Sequence, residues 1–398
     1  MITKTLLLRI MDSANLRRWN DKICPVELRE LDKQAHKMVI AYMLGKFDEN
    51  IDHADWIKII EGGIFEFLHR LVLTDLKPQI FHKIKNNREK FLELNNWVYA
   101  QLSPSISPLG SDFCTRFKEY IDSPKETIHR RILNAAHFQA TKWEFRIIQQ
   151  SDPEGYEIDD ISHGLSAVTR SYYDLTGMQK IMLYPEYAKF IDLCGQLRFQ
   201  VRWSHLHRIP RTSVLGHSFI VALLSYFFSL QVNACPKRCI NNFMTGLFHD
   251  LPEVLTRDII NPVKVSVEGL DDLIKSYEIE EMEEKIYKPG LIPSEWISDL
   301  KLYTENEFAS LIMKDNKQLP VSSDEINLSY NSDHFSPRDG EIVRAADHIA
   351  AFLEAWLARE NGSPSQEFSK AIKSLSETYS RKSIAGIAMG EIYQQFHA

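Results

Sequence analysis

One run of sixteen residues sets the terms of the fold. HSFIVALLSYFFSLQV, residues 217–232, is apolar almost all the way round. A helix of that kind has no face to offer water, so it belongs inside a core or a membrane. The run falls short of the ~18–20 apolar residues a bilayer span needs. It is therefore predicted to be a buried helix on which other elements pack. Two further segments carry the helical period. LDKQAHKMVIAYMLGKF (31–47) places Ala35, Val39, Met43 and Phe47 on one stripe, and GEIVRAADHIAAFLEAWLARE (340–360) places Ile342, Ala346, Ile349, Phe352 and Trp356 on one face. No stretch alternates as a strand between hairpin turns. The predicted class is all-α, with short helices and polar connections.

Composition narrows the function classes. The 398 residues leave room for two or three domains, each able to bury a core. With 47 Lys and Arg against 54 Asp and Glu, the net charge of -7 disfavours a surface built to grip extended nucleic acid. A local basic pocket for a small anion remains compatible with it. Five cysteines, an odd and sparse set, read as reduced thiols in a cytoplasmic protein. Cys235 and Cys239 have the spacing of half a zinc site, but no second pair follows, so they read as two thiols near a helix start. The N-terminal apolar run lacks a small-residue cleavage site, so neither a signal peptide nor a membrane partner is expected. Loops are predicted at SPSISPLGSD (103–112), at SDPEGYEIDDISHG (151–164) and at LPVSSDEINLSYNSDHFSPRDG (319–340), the last as a lid or disordered insertion. EIEEMEEKIYK (278–288) reads as a solvated acidic helix.

Three patches recur in the same order in the two halves. Arg18-Trp19 precedes His36 as Arg202-Trp203 precedes His217. GIFEFLHRLVLTD (63–75) aligns without gaps to GLFHDLPEVLTRD (246–258), with Gly63/Gly246, Phe65/Phe248, Leu68/Leu251 and Asp75/Asp258 identical. ILNAAH (132–137) matches IVRAAD (342–347). The pattern reads as a tandem duplication dividing near residue 185, with domains over 1–185 and 186–398.

The second half holds His217, the doublet His249-Asp250, and Asp347, each on or beside an apolar helical segment. Two imidazoles and two carboxylates meeting at one point would make a mixed nitrogen and oxygen site for a borderline divalent metal. Neighbours in a helix point ~100° apart, so the doublet can serve one site only near a helix end, and Pro252 supplies such an irregularity. A lone His-Asp doublet usually means nothing. Asp347, flanked by Ala345, Ala346, Ile349 and Ala350, is harder to dismiss, because an unpartnered buried carboxylate is costly. Residue types alone leave both readings open.

The order H…HD…D over helices resembles the HD superfamily of metal-dependent phosphohydrolases. Arg202-Trp203, His217 fourteen residues on, and HDLPEVLTRDIINPVK (249–264) resemble the bacterial HD-domain 5'-deoxynucleotidases. The resemblance spans roughly 190–360 and departs from the family in the insertion at 319–340 and in the extra N-terminal half. It implies two HD-type helical domains in tandem, the second catalytic, with His217, His249, Asp250 and Asp347 as ligands of one divalent ion, whether Mn, Co, Fe, Zn or Mg. It implies Glu253 as general acid or base, Asp258 as a second carboxylate at the phosphate, and Arg202, Trp203 and Lys264 lining the phosphate and sugar pocket. Outside the motif, Arg202 would read as a salt-bridge partner, Trp203 as core and Lys264 as a solvated charge. His205 and His207, outside it, read as bystanders.

The implied activity is a phosphomonoesterase acting on nucleoside 5'-monophosphates, deoxy forms in particular. HD-type sites also support phosphodiesterase and triphosphohydrolase chemistry, and a nucleotide-binding regulator is the reading from another class. In the first half the doublet becomes Glu66-Phe67, Asp347 becomes His137, and Glu253 becomes Arg70. His36, Glu66 and His137, with His69 nearby, are left as a weak metal set. The plainer reading is a decayed copy kept for packing, regulation or an internal pseudo-dimer, with a homo-oligomer as the other arrangement.

Overall fold

The computed structural model describes residues 1–48, 51–74, 76–259 and 267–396. Helices dominate it. Six carry the architecture: α1 (Glu30–Lys46), α2 (His53–Leu73), α3 (Ile128–Ser151), α4 (Val214–Gln231), α5 (Pro236–Phe248) and α6 (Gly340–Glu360). They form two triplets, α1 packing on α2 and α3, and α4 packing on α5 and α6. The triplets meet along α1 against α4 and α2 against α5. Phe67 of α2 meets Phe219 of α4 edge-on at 5.1 Å. One apolar cluster runs from Ile2 to Phe396 and draws on both sides of residue 185. The two halves therefore share a core.

The apolar run begins earlier than predicted. Ser213 caps α4, its hydroxyl accepting from the Gly216 amide at 2.9 Å. The helix so gains Val214, Leu215 and Gly216 and reaches 18 residues, long and apolar enough to cross a membrane by length and composition. It lies inside the protein, with 89% of its length buried. α1 is likewise buried all round from Glu30 to Gly45, where the sequence pattern predicted a single stripe. Its charged residues Glu30, Asp32, Lys33 and Lys37 face a polar cluster inside the protein.

The three predicted loops are all shorter or more ordered than expected. A helix runs from Arg88 to Ile106 and carries through Pro104, which lacks the N–H for one intrahelical hydrogen bond. Another starts at Ile158, with Asp159 and Asp160 complementing its N-terminal dipole, so only 152–157 remain irregular in that stretch. Between 311 and 339 the chain forms a hairpin of β1 (Leu311–Lys314) and β2 (Lys317–Pro320), then short helical turns. Asp315 and Asn316 connect the strands at φ 51° and 58°, the left-handed pair of a tight hairpin turn. The segment is no lid. Asn331 and Asp333 accept from the Cys235 and Lys237 amides at the start of α5. Asp339 pairs with the buried Arg238 at 2.5 Å and caps α6 by accepting from the Ile342 amide. All five cysteines are free thiols.

Candidate metal centre

α4 presents His217 in its first turn, fully buried. α5 stops at Phe248, and His249 is its C-cap, so the doublet sits at the helix end its geometry required. Gly246 lets α5 approach closely: a Cβ there would stand 2.7 Å from the Ala222 backbone of α4. That approach brings the His217 and His249 rings to 5.8 Å between centroids. α6 adds Asp347. Ligating atoms of His217, His249 and Asp347 lie within 4.8 Å of one another, the one such group of three among the described residues. The Asp250 carboxylate stands beside them, 3.3 Å from His249 Nε2 and 4.0 Å from His217 Nε2.

The donor set fits a cation. His249 Nδ1 lies 2.9 Å from the Gly246 carbonyl, which assigns the ring proton to Nδ1 and leaves a lone pair on Nε2. That buried Nε2 and the buried Asp250 Oδ2 have no hydrogen-bond partner. Two acceptors side by side without a proton between them are a poor arrangement unless a positive ion joins them. Burial and the Arg202 guanidinium push the His217 pKa down, but the Asp347 and Glu354 carboxylates outweigh both and raise it to about 9. Burial works to raise the Asp347 pKa; His217, His249 and Arg202 overcome it and hold that carboxyl well below the usual range.

Arg202 and Trp203 lie in a tight turn just before α4. The Arg202 amide donates to the Thr212 carbonyl at 3.0 Å, and Trp203 takes a left-handed φ of 57°. Arg202 Nη1 is 3.5 Å from Asp250 Oδ2 and 4.0 Å from Asp258 Oδ2, and its Nε is 3.5 Å from Glu354 Oε2. Burial would lower its pKa, but Glu354, Asp258, Asp250 and Asp347 keep it fully cationic. Trp203 donates its indole N–H to Glu354 at 2.9 Å and packs against Phe368, so it is half-buried against the core. Glu253 is buried at the start of the short helix Glu253–Thr256. Arg257, at φ 69°, turns the chain so that the Asp258 amide donates to Gln200 at 3.3 Å. Gln200 in turn donates to the Glu253 carbonyl at 3.0 Å. Lys264 lies outside the described residues. His205 pairs with Glu367 at 2.8 Å, away from this cluster.

Sequence reasoning missed Gln200 and Glu354. Glu354 had a signal: a carboxylate inside an apolar helix, two turns after Asp347.

The turn at Trp19 in the first half is similar to the one at Trp203, in a register that differs from the expected one. Trp19 has the same φ of 57° as Trp203 and donates its indole N–H to Glu144 at 3.0 Å. The Glu30 amide donates to the Leu16 carbonyl and the Val214 amide to the Gln200 carbonyl, donors and acceptors alike being 184 residues apart. That offset sets Lys33, and not His36, opposite His217. Lys33 Nζ contacts His137 Nδ1 at 2.5 Å, as His217 Nε2 contacts Asp347 Oδ1 at 2.8 Å. His36 turns away to the Ile191 carbonyl at 2.9 Å, and Glu66 pairs with Lys37 at 2.7 Å. His69 bonds Asn95. His36, Glu66 and His137 therefore do not converge: His36 meets Ile191, Glu66 meets Lys37, and His137 meets Lys33. Asp75, opposite Asp258, lies outside the described residues.

The HD domain family matches residues 194–376. This part of the chain is an HD-type phosphohydrolase domain. It is similar to a 5'-deoxynucleotidase of Pasteurella multocida, 26% identical over 194 residues, which cover 48% of this chain and 83% of the relative. A 5'-deoxynucleotidase of Photobacterium profundum is 23% identical over 204 residues, covering 50% and 88%. HD domains bind divalent metals, and the His217, His249 and Asp347 group lies inside the matched region of this one.

Proposed function

We propose that the HD domain is a divalent-metal phosphomonoesterase that hydrolyses nucleoside 5'-monophosphates, deoxy forms included, to nucleoside and phosphate. The observation that carries this reading is Arg202. Its guanidinium stands beside the candidate ligand Asp250 at 3.5 Å and beside Asp258 at 4.0 Å. Both contacts are longer than full hydrogen bonds, so its donors are available to a phosphate dianion. The two relatives are named for 5'-deoxynucleotides, which favours this substrate class.

His217, His249, Asp250 and Asp347 would hold the ion. A divalent ion held there supplies Lewis acidity, lowering the pKa of water and polarising a phosphoryl oxygen. The chain's own groups do the rest. Water oxygen forms a bond to phosphorus as the bond to the 5'-oxygen breaks. Glu253, buried three residues after Asp250, gives the leaving oxygen its proton, and a water proton is released. Arg202 offsets charge on the non-bridging oxygens. Asp258, fixed by Gln200, borders the same pocket and faces water or sugar hydroxyl. Trp203, pinned through its indole N–H, offers the exposed part of its ring to the sugar.

We read residues 1–185 as a degenerate copy acting as an internal partner for residues 186–398. The repeated Trp–Glu turn supports this, as does the seam between the copies. There Ser213 donates to Asp32, and Gly216 lies so close to Leu31 and Asp32 that a Cβ would stand 2.8 Å from the Asp32 carboxylate.

Phosphate release from paired ribo- and deoxyribonucleoside mono-, di-, tri- and cyclic phosphates tests the function. Monophosphates should react best. Deoxy forms should lead by up to ~100-fold, the most that rejection of an added hydroxyl by shape commonly gives. Glu253→Gln should lower turnover by ~10²–10⁴-fold. Turnover of only di-, tri- or cyclic nucleotides would overturn the reading.

A further inference from the structure

A metal-ligating imidazole has two edges. One nitrogen gives its lone pair to the ion, and the other must carry the proton and have somewhere to place it. For His249 the Gly246 carbonyl accepts the hydrogen bond from that N–H. For His217 the metal-side edge is Nε2, 2.8 Å from Asp347 Oδ1, and the opposite edge faces Glu354. Its Nδ1 lies 3.4 Å from Glu354 Oε1, within ion-pair reach, and is buried without a formed hydrogen bond. Glu354 is wholly buried and has no water to turn to. The same carboxylate accepts from the Trp203 indole at 2.9 Å and from the Thr212 hydroxyl at 2.5 Å, and lies 3.5 Å from Arg202 Nε.

The first half separates two roles that coincide in the second. Glu144 stands seven residues after His137, as Glu354 stands seven after Asp347. It holds the Arg18–Trp19 turn through the Arg18 Nε and the Trp19 indole, at 2.8 and 3.0 Å. The residue opposite His217 is there Lys33, which has no ring to orient. Holding the turn is thus common to both copies. Facing an imidazole belongs to Glu354 alone.

We infer that Glu354 is a positioning residue for the metal site: its carboxylate accepts the hydrogen bond from His217 Nδ1–H when the ion is held, aims the Nε2 lone pair at the ion, and clamps the Arg202–Trp203 turn beside it. This rests on the proposed reading of His217 as a ligand. It ties the ion's position to that of the phosphate-facing arginine through one buried group.

The test uses the purified full chain. Glu354→Gln keeps the shape of the carboxylate and loses its charge. Thr212→Val removes another of its partners and leaves the His217 contact. Calorimetric titration with Mn²⁺ should show affinity ~10–100-fold weaker in Glu354→Gln, the usual loss when the partner of a ligating histidine is removed. Thr212→Val should stay within about threefold of wild type, although both variants lower the melting temperature. Nitrogen-15 imidazole spectra of the Zn²⁺-loaded wild type should show His217 protonated on Nδ1. That readout needs no variant and stands even if Glu354→Gln fails to fold. Wild-type Mn²⁺ affinity in Glu354→Gln, or an Nε2-protonated His217, would overturn the inference. Failure of the underlying reading has a different signature: His217→Ala would bind Mn²⁺ as tightly as wild type.

Discussion

His36 is set to weaken the protein as pH falls. The ring is wholly buried, edge-on to Trp143 at 5.2 Å, with Nε2 on the Ile191 carbonyl at 2.9 Å and Nδ1 3.4 Å from the Arg198 guanidinium. Burial, and then the Arg198 charge, lower its pKa from 6.5 to about 3. Between those values the unfolded chain binds a proton that the folded chain refuses. Stability is therefore complete above about pH 6.5 and declines as pH falls toward 3. At pH 5 the shortfall is one and a half pH units at 1.36 kcal/mol each, or about 2 kcal/mol. His36→Gln keeps a side-chain N–H for Ile191 and cannot titrate. Urea unfolding of wild type and variant at pH 7.5 and pH 5.0, with chelator present to remove metal linkage, gives two stability gaps. The wild-type advantage should shrink by about 2 kcal/mol at the lower pH, other titrating groups cancelling between the proteins. Parallel pH profiles would show that the imidazole charges freely in the folded state, and the burial argument would be wrong.

Two further outcomes follow from the site and its anchors. Asp250→Ala should reduce phosphate release to background while His137→Gln leaves it largely intact, and elemental analysis of wild type should find one divalent ion per chain; equal losses from both variants, or two ions, would make the first half a working site. Arg238→Met strands the buried Asp339 carboxylate that caps α6 and should cost roughly 3–5 kcal/mol in urea unfolding, the usual penalty for breaking a buried pair; a loss under about 1 kcal/mol would mean that the pair is not shielded from water.

What the sequence disclosed depended on how local the signal was. α6 was legible from end to end because its apolar period, its flanking charges and the preceding Asp339 cap are all local. The hairpin at 311–320 was missed although Asp315-Asn316 is a turn signal, because its strands are short and β2 is exposed along its length. Pro104 was read as a break, yet the helix carries through it to Ile106. The candidate ligands of the second half stood out in the sequence because each belongs to a spaced motif. Glu354 was not, because an isolated carboxylate in a helical pattern is ordinarily assigned to the outer face. The pairing of His36 with His217 matched like with like. Only the backbone register of the two Trp turns reveals Lys33 as the counterpart, and that register is a fact of tertiary structure.

The two halves answer the same electrostatic problem differently. In the first, the carboxylates of Glu30, Glu66 and Glu144 sit among Arg18, Lys33, Lys37, Arg70 and Arg198, all supplied by the chain. Covalently attached cations leave no call for another. Burial is strong enough there to push the Lys33 pKa well below its ordinary value, though Glu30 pulls the other way. In the second, Asp250, Asp258, Asp347 and Glu354 face two fixed cations, Arg202 and the buried Arg208. These buried carboxylates lie in a region where unbalanced charge is expensive. A divalent ion would offset them where His249 Nε2 and Asp250 Oδ2 lack hydrogen-bond partners. In the function proposed above, Lys33 fills a space that His217 and its neighbours leave open to an ion, and the difference between partner and catalyst begins at those two positions.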